Sequence, residues 1–228
     1  MIIYGKQASL YALKKHKSLI KKVYVTKLSI LPKDLLREFG SKVKLIENRW
    51  AQKMSSNRNH QGILVDINEP QEPTIEAIKS SNFIVLLDGL TDVGNIGAII
   101  RTSYALGVDA VVASGVNQIN LSGIIRSSSG AALDLVPLVL KNPLSLLNEL
   151  KQIGFKIFGA SMDGEPLGGA NFATKRVLIL GSEDRGISKR VESKIDRFYA
   201  IEMQRDFDSL NVSVAAGILI YRMGHAVK

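Results

Sequence analysis

A series of short apolar runs, which begins about one third of the way along the chain, limits the folds that this chain can adopt. The first, residues 83–87, contains no polar residue. Such a run is typical of a strand buried on both faces, as in a parallel sheet covered by helices. Further candidate strands follow at residues 110–112, 138–140, 156–158, 177–180 and 198–201. Because helical segments lie between several of them, this part is predicted to be an α/β domain with a parallel sheet.

The first third of the chain alternates between shorter predicted elements. Helices are expected at residues 6–16 and 32–39, and strands at 22–26, 43–46 and 63–67. Residues 68–73 then hold two prolines, two acids and no apolar residue, which indicates a linker. We therefore predict a small α/β domain at residues 1–68, a linker at 69–80 and a larger domain at 81–228.

Charge is distributed unevenly between these two parts. Residues 1–68 carry fourteen lysines and arginines against four acids, a balance of +10, whereas the remaining residues balance at −1. The asymmetry indicates that the first domain faces a polyanion. The alternative is that its lysines merely keep a small domain in solution, and charge alone does not decide between the two.

Composition excludes several kinds of site. The chain has no cysteine, which rules out disulfides, thiolate catalysis and cysteine–zinc sites. Its three histidines, His16, His60 and His225, are far apart in the sequence, so no metal site is expected. The apolar runs are too short to span a membrane, and the first residues lack the apolar core of a signal peptide. We expect a cytoplasmic protein.

Residues 88–101, after the first buried strand, form the first segment that suggests chemistry. They contain a Gly-rich turn and the start of a helix, but a P-loop would need a lysine where Asn95 stands. The glycine spacing does not match a dinucleotide-binding turn either. Asn95 and Arg101 are the polar candidates. The simpler explanations are a helix N-cap for Asn95 and a structural salt bridge for Arg101.

A second segment, residues 180–188, follows another apolar strand. It places Gly181 two residues before Glu183, and glycine lets the backbone approach a ligand closely. A surface turn is the simpler explanation, because turns of this composition are common.

A third segment, residues 209–215, reads Ser-Leu-Asn-Val-Ser-Val-Ala at the start of a helix predicted to run to residue 223. Ser209 as N-cap explains one of its polar residues. It does not explain Asn211 or the second serine, because polar groups in an apolar environment need partners. The apolar residues around this helix predict burial on several sides, one of them at a subunit interface.

Taken in this order, the Asn95–Arg101 segment, Gly181-Ser182-Glu183 and the motif at 209–215 resemble the SpoU/TrmH branch of the SPOUT methyltransferases. Residues 3–5 and 59–62, Ile-Tyr-Gly and Asn-His-Gln-Gly, look like the N-terminal RNA-binding domain of its RlmB-like subgroup. The resemblance covers nearly the whole chain, and residues 209–215 are its most specific part. Val93 and Glu202 depart from it, because relatives often have proline at these places.

The resemblance implies both a fold and a reaction. The C-terminal domain would be an α/β trefoil knot that forms homodimers, and the N-terminal domain an L30e-like RNA binder. The reaction would move a methyl group from S-adenosyl-L-methionine to a ribose 2′-hydroxyl of RNA, with 23S rRNA guanosine favoured and tRNA the alternative. By position, the cofactor-binding residues would be Gly181, Ile201 and Leu210. The polar site would consist of Asn95, Arg101, Glu183, Ser209 and Asn211.

The sequence leaves open the roles of Arg101 and Glu183 and one alternative function. In relatives the arginine matching Arg101 is proposed to activate the hydroxyl, but a permanently charged guanidinium is better suited to stabilising a developing alkoxide. Glu183 would orient Arg101 or the substrate. A non-catalytic RNA-binding protein with this fold is an alternative, whereas a nicotinamide-dependent oxidoreductase is disfavoured by the missing fingerprint. Trp50, the single tryptophan, is predicted to be a buried anchor in preference to a stacking residue.

Overall fold

The computed structural model describes residues 1–205 and 208–225. This part of the chain forms two compact units. Unit 1 consists of Met1–Gln71 together with Asn120–Asp134, and unit 2 of Glu72–Ile119 together with the described residues from Leu135 onward. The division predicted from the sequence does not anticipate that residues 120–134 pack with unit 1.

The described residues contain ten strands: β1 (Ile2–Tyr4), β2 (Ile20–Val25), β3 (Val43–Leu45), β4 (Ile63–Ile67), β5 (Phe83–Asp88), β6 (Ala110–Ser114), β7 (Leu138–Leu140), β8 (Lys156–Pro166), β9 (Arg176–Gly181) and β10 (Arg197–Ala200). The same residues contain nine α-helices: α1 (Lys6–Lys15), α2 (Lys33–Phe39), α3 (Asn48–Met54), α4 (Ile75–Lys79), α5 (Val93–Ala105), α6 (Leu121–Ser127), α7 (Leu144–Gln152), α8 (Lys189–Glu192) and α9 (Val212–His225). None of these helices combines the length and apolar character needed to cross a membrane.

Unit 1 is built on a four-stranded sheet in the order β1-β4-β2-β3. β4 pairs antiparallel with β1 and β2, and β2 pairs parallel with β3. The apolar sequence of β4 suits its central place, and Ile63, Leu64 and Val65 are fully buried. β3 is an edge strand, where the exposed Lys44 helps to prevent pairing with another chain.

Residues 59–62 form the turn that leads into β4. His60 is buried, and its Nδ1 accepts a hydrogen bond from the backbone N–H of Gly62 at 2.9 Å. Gly62 has φ of +79°, and a side chain there would overlap its neighbours, so the turn requires glycine. Arg126 of α6 donates from Nε to the Asn59 carbonyl at 3.1 Å. This contact helps to explain why residues 120–134 belong to unit 1.

Unit 2 is built on a six-stranded sheet in the order β10-β8-β9-β5-β6-β7, in which every pairing is parallel. All six residues of the central strand β5 are buried, as its apolar run predicts. The chain runs outward from β5 through β6 to β7 and then crosses to β8, β9 and β10 on the other side. The strand order therefore reverses between β5 and β9. In open α/β sheets ligands bind at the carboxyl ends of the strands beside such a point.

The helices α5 and α9 pack side by side in unit 2 and run in the same direction. A Cβ atom added at Gly217 of α9 would lie 3.7 Å from the Thr102 side chain of α5. One added at Gly224 would lie 3.7 Å from the carbonyl oxygen of Leu106, which directly follows α5. The first turns of both helices consequently lie at the same end of unit 2.

Candidate active site

Three segments that are distant in sequence meet where the strand order reverses. β5 ends at Asp88 and is followed by α5, whose first turn carries Asn95. β9 ends at Gly181, and Glu183 lies in the loop that follows. Asn211 directly precedes α9. Asp88 and Gly181 are paired in the sheet, so the two loops leave the same edge side by side.

Asn95, Glu183 and Asn211 form one hydrogen-bonded group, which we name the amide–carboxylate cluster. Glu183 Oε1 accepts from Asn211 Nδ2 at 2.8 Å and from Asn95 Nδ2 at 3.3 Å. Asn211 Nδ2 also donates to Asn95 Oδ1 at 3.1 Å, and the backbone N–H of Val212 reaches Glu183 Oε1 at 3.4 Å. Each of the three sequence motifs thus contributes one member to a single polar group.

The side chain of Asn95 is available to this cluster because another residue caps α5. The N-cap is Asp92, whose Oδ1 accepts from the backbone N–H of Asn95 at 2.7 Å. The N-cap explanation for Asn95 was therefore wrong. The capping oxygen stands three residues earlier, where aspartate is among the preferred residues.

The orientation of Asn211 is set by the start of α9. Its Oδ1 accepts from the backbone N–H of Ser213 at 2.9 Å and from Ser213 Oγ at 2.6 Å. The amide oxygen is thereby engaged, and the amide nitrogen faces Asn95 and Glu183. The prediction that Ser209 caps this helix was wrong. α9 begins at Val212, and Asn211, which accepts from the Ser213 N–H, directly precedes it.

Asp88 is a site residue that the sequence analysis missed. Its side chain is buried, with Oδ1 accepting from Ser114 Oγ at 3.0 Å and Oδ2 from the backbone N–H of Ser188 at 2.8 Å. A buried carboxylate needs such partners. The bonds tie the end of β6 and the end of the 182–188 loop to β5. The sequence signal that could have identified Asp88 is its position directly after a continuous apolar run.

Gly181 shapes the loop that presents Glu183. The backbones of Ser182 and Gly186 exchange two hydrogen bonds, at 3.1 and 2.9 Å, which fold the loop back over the strand end. A Cβ atom at Gly181 would overlap the backbone of Gly186, so only glycine fits there. The turn expected from composition is thus present, and it also positions the carboxylate.

The remaining predicted site residues lie on α5, directly after β10, and in the segment before α9. Arg101 is exposed on α5, six residues beyond Asn95 and therefore about 9 Å further along the helix axis. Ser209 is exposed and lies two residues before Asn211. Ile201 directly follows β10 and Leu210 precedes α9, and both are half-buried. Ile201 also lines a groove of about 580 Å³ beside α9.

A larger cleft of about 820 Å³ opens beside the amide–carboxylate cluster, which is within the usual size range of ligand sites. It runs along the carboxyl ends of β5, β6, β7 and β9 and includes Asn95 and Glu183. The cleft is lined by charges of both signs: Lys141, Arg185 and Arg190, and the acids Asp88, Asp92, Glu183 and Asp184. In the part of the chain that the structure describes, no group of three acids or histidines could hold a metal ion.

The family model described as the SpoU rRNA Methylase family matches residues 82–221, which include every member of the cluster. The chain belongs to this family. A second model, described as RNA 2′-O ribose methyltransferase substrate binding, matches residues 2–73. The fold class is therefore that of the SPOUT methyltransferases, with an N-terminal substrate-binding domain, and the enzyme class is RNA 2′-O-ribose methyltransferase. The trefoil knot stays a prediction.

Individual relatives agree with this assignment. The chain is 29% identical to the 23S rRNA (guanosine-2′-O-)-methyltransferase RlmB of Nitrosomonas europaea, over 96% of this chain and 89% of the relative. It is 30% identical to the 23S rRNA (guanosine(2553)-2′-O)-methyltransferase RlmP of Bacillus subtilis, over 92% and 82%. Its fold is similar to that of the SpoU methyltransferase AviRb from Streptomyces viridochromogenes in complex with AdoMet, with a TM-score of 0.79, 21% identity, and coverage of 97% and 88%.

Proposed function

We propose that this protein transfers a methyl group from S-adenosyl-L-methionine to the 2′-hydroxyl of a guanosine ribose in 23S rRNA. The observation that carries the proposal is the amide–carboxylate cluster, in which three motifs of a SpoU-family chain converge at the reversal point of the sheet. Guanosine in 23S rRNA is favoured over tRNA because the relatives from N. europaea and B. subtilis both carry that activity in their names. We expect the protein to act in the cytoplasm.

The cofactor would lie against the loops that follow β9 and β10 and precede α9. Ile201 and Leu210 offer half-buried apolar surface there, which suits the adenine ring and the methionine chain. Gly181 lets the 182–188 loop fold back over the end of β9, beside this proposed site. When bound, S-adenosyl-L-methionine supplies a methyl group on a sulfonium, which is transferred as the electrophile.

Arg101 would act on the RNA side of the reaction. A ribose hydroxyl is a poor nucleophile at neutral pH, so it must be aligned with the methyl carbon. Its oxygen would bond to that carbon as the carbon–sulfur bond breaks, and its proton would pass to water. A guanidinium is permanently charged and carries five donors, which suits it to hold a phosphate oxygen and to stabilise the developing alkoxide. Arg101 is exposed on α5, where RNA can reach it.

Glu183 and the two asparagines would hold the geometry of the site. Glu183 Oε1 is shared by both amides, so the cluster fixes α5 to the 182–188 loop and to the start of α9. These three elements carry the proposed arginine and border the proposed cofactor site. Ser209 would contribute its exposed hydroxyl from the segment before α9.

Unit 1 would hold the RNA. Its residues 1–68 carry the +10 balance, and its lysines are predominantly exposed. Positive charge of this kind neutralises backbone phosphates and makes affinity depend steeply on salt. The match of residues 2–73 to a substrate-binding domain supports the same role.

A homodimer through α9 also belongs to this proposal. Val214, Ile218 and Tyr221 follow one another at helical spacing and are 51%, 39% and 57% exposed. Three large apolar side chains on one exposed helix face are typical of a surface that is covered in an assembly. A second copy of this chain would cover it, and the adjoining groove lined by Ile201 would then lie at the interface.

Sedimentation analysis of two matched variants tests the dimer. Ile218→Glu is expected to convert a dimer to a monomer, because a carboxylate would be buried at the interface. Ile153→Glu is the control, because Ile153 of unit 2 is also 39% exposed and does not belong to α9. A wild-type monomer, or equal effects of both variants, would contradict the assignment.

The methyl-transfer reaction can be tested with purified protein, tritiated S-adenosyl-L-methionine, and separate 23S rRNA and tRNA substrates. The expected product is 23S rRNA with one guanosine linkage that resists alkaline hydrolysis. Calorimetry should show cofactor binding without RNA. Absence of cofactor binding would favour a non-catalytic RNA-binding protein, and label found only in tRNA would overturn the choice of 23S rRNA.

A further inference from the structure

Trp50 is exposed on unit 1, which corrects the prediction that it is a buried anchor. It lies on α3, which buries Ala51 and packs Met54 against Tyr4 and Leu64. Trp50 lies outside that buried group, and 49% of its surface is accessible. The helix is thus held to the unit by other residues, and the indole is left at the surface.

Two cations border the indole ring. Arg49 Cζ and Lys53 Nζ each lie 5.7 Å from the ring centroid. Both distances fall within the range of a cation–π contact, and such contacts contribute little at exposed sites, so a ligand can displace either cation. Arg49 also forms an exposed pair with Glu47 at 3.2 Å, an interaction that is weak in water.

Exposure alone does not mark a site. Leu28 of the same unit is also 49% exposed, and single apolar side chains at a surface are ordinary. Trp50 differs because it combines a wide π face with two adjacent cations, in a unit whose residues 1–68 balance at +10. An aromatic platform with flanking cations suits one ligand chemistry in particular, a flat base joined to a phosphate.

We propose that Trp50, Arg49 and Lys53 form a stacking site for an unpaired base of an RNA strand. The base stacks on the indole and displaces one cation from the ring face. That cation then pairs with the phosphate of the same or the next nucleotide. Because a base inside a duplex is already stacked on both faces, the site selects single-stranded segments, such as loops, over helical RNA. This inference rests on RNA being the substrate.

Fluorescence offers a direct test, because Trp50 is the single tryptophan of the chain. The full-length protein is titrated with a short labelled single-stranded RNA, and separately with the same RNA annealed to its complement. Stacking should quench the tryptophan emission with the single strand and leave it nearly unchanged with the duplex. Anisotropy of the RNA label reports binding independently of Trp50.

Three variants complete the test. Trp50→Ala should weaken single-strand binding by roughly fivefold to a hundredfold. Trp50→Phe should retain most of the affinity because it keeps an aromatic face, and Leu28→Ala should bind as the wild type does. Far-ultraviolet circular dichroism should show the same helix content in all three variants, since about half of the surface of Trp50 and of Leu28 is accessible.

The outcomes separate this inference from the proposed function. Bound RNA without quenching, or a Trp50→Ala variant with wild-type affinity, would overturn the stacking site and leave the methyl-transfer proposal standing. Equal quenching by duplex and single strand would overturn the selection for unpaired bases. If anisotropy shows no binding of either RNA, both the stacking site and the RNA-binding role of unit 1 fail.

Discussion

The two compact units present their polar residues in opposite ways. In unit 2, three distant residues meet in one cluster: Glu183 lies 88 positions after Asn95, and Asn211 lies 28 positions after Glu183. In unit 1 the cations lie spread over the surface. Methyl transfer requires groups held at fixed positions, whereas phosphate binding requires mainly net charge. A catalytic assignment therefore depends on the convergence of residues in space, whereas an RNA-binding assignment depends on the distribution of charge.

The largest expected effect lies in unit 2. Arg101→Ala should lower methyl transfer by roughly a hundredfold or more, because a preorganised cation at a developing charge has that order of effect. Cofactor affinity, measured by calorimetry, should survive. Arg197→Ala is the control, since Arg197 is exposed in the same unit and pairs only weakly with Glu165 at 3.4 Å. Wild-type activity in Arg101→Ala would remove this residue from the reaction.

A smaller effect is expected within the cluster itself. Glu183→Gln keeps the shape of the side chain but removes its charge, and hydrogen bonds to a charged acceptor are stronger. Methyl transfer should fall about tenfold. Glu192→Gln removes the same charge from α8 and should change little, because Glu192 is exposed and does not line the cleft. Equal losses in both variants would indicate that the overall charge of unit 2 matters and the cluster does not.

Unit 1 should respond to charge removal in a graded way. Lys14, Lys15, Lys21 and Lys22 are all exposed, and their joint replacement by glutamine should weaken RNA binding several-fold. The slope of log affinity against log salt should become shallower, by about 0.7–0.9 for each phosphate that the variant no longer neutralises. Lys189→Gln with Lys194→Gln in unit 2 is the control. An unchanged slope in the unit 1 variant, or an equal change in the control, would break the division between the units.

The smallest expected effect concerns the stability of unit 1. Burial lowers the pKa of His60 from its ordinary value of 6.5. The unfolded chain then binds a proton more readily than the folded chain. The free energy of unfolding therefore has its full value above pH 6.5 and decreases as the pH falls from 6.5 towards the lowered pKa. Protonation would also remove the acceptor for Gly62 N–H. Urea unfolding followed by Trp50 emission should show this decrease.

A matched pair of histidine variants checks that assignment. His60→Gln should flatten the pH dependence of unfolding between pH 6.5 and the lowered pKa, whereas His225→Gln, exposed at the end of α9, should not. A pH dependence that persists in His60→Gln would assign the effect to another group.

Much of the fold could be predicted because strand patterns are local. The runs at 63–67 and 138–140 predicted β4 and β7 with the bounds that the structure shows, and the apolar run at 83–87 predicted the buried β5. α3 was missed because a seven-residue helix has too few turns for a clear periodicity. The equally short α2 was predicted because Pro32 marks its start, and α3 has no such signal. Because α3 was not predicted, the exposure of Trp50 could not be predicted either.

Other features depend on contacts that no local pattern reveals. Residues 120–134 join unit 1 through partners such as Asn59, which lies 67 positions away from Arg126. Asp92 and Asn95 are both good capping residues, and only the backbone geometry shows that Asp92 caps α5. The candidate site residues were suggested by family resemblance, whereas their joining in one cluster comes from the order of the strands.

Mapping of 2′-O-methyl groups gives the sharpest test of whether this chain methylates a ribose of 23S rRNA. Ribosomal RNA from a strain lacking the gene is compared with that of the parent strain and of strains expressing the wild type or Arg101→Ala. We predict that one guanosine of 23S rRNA loses its 2′-O-methyl group, and that only the wild type restores it. An identical methylation map with and without the gene would show that this chain does not methylate 23S rRNA.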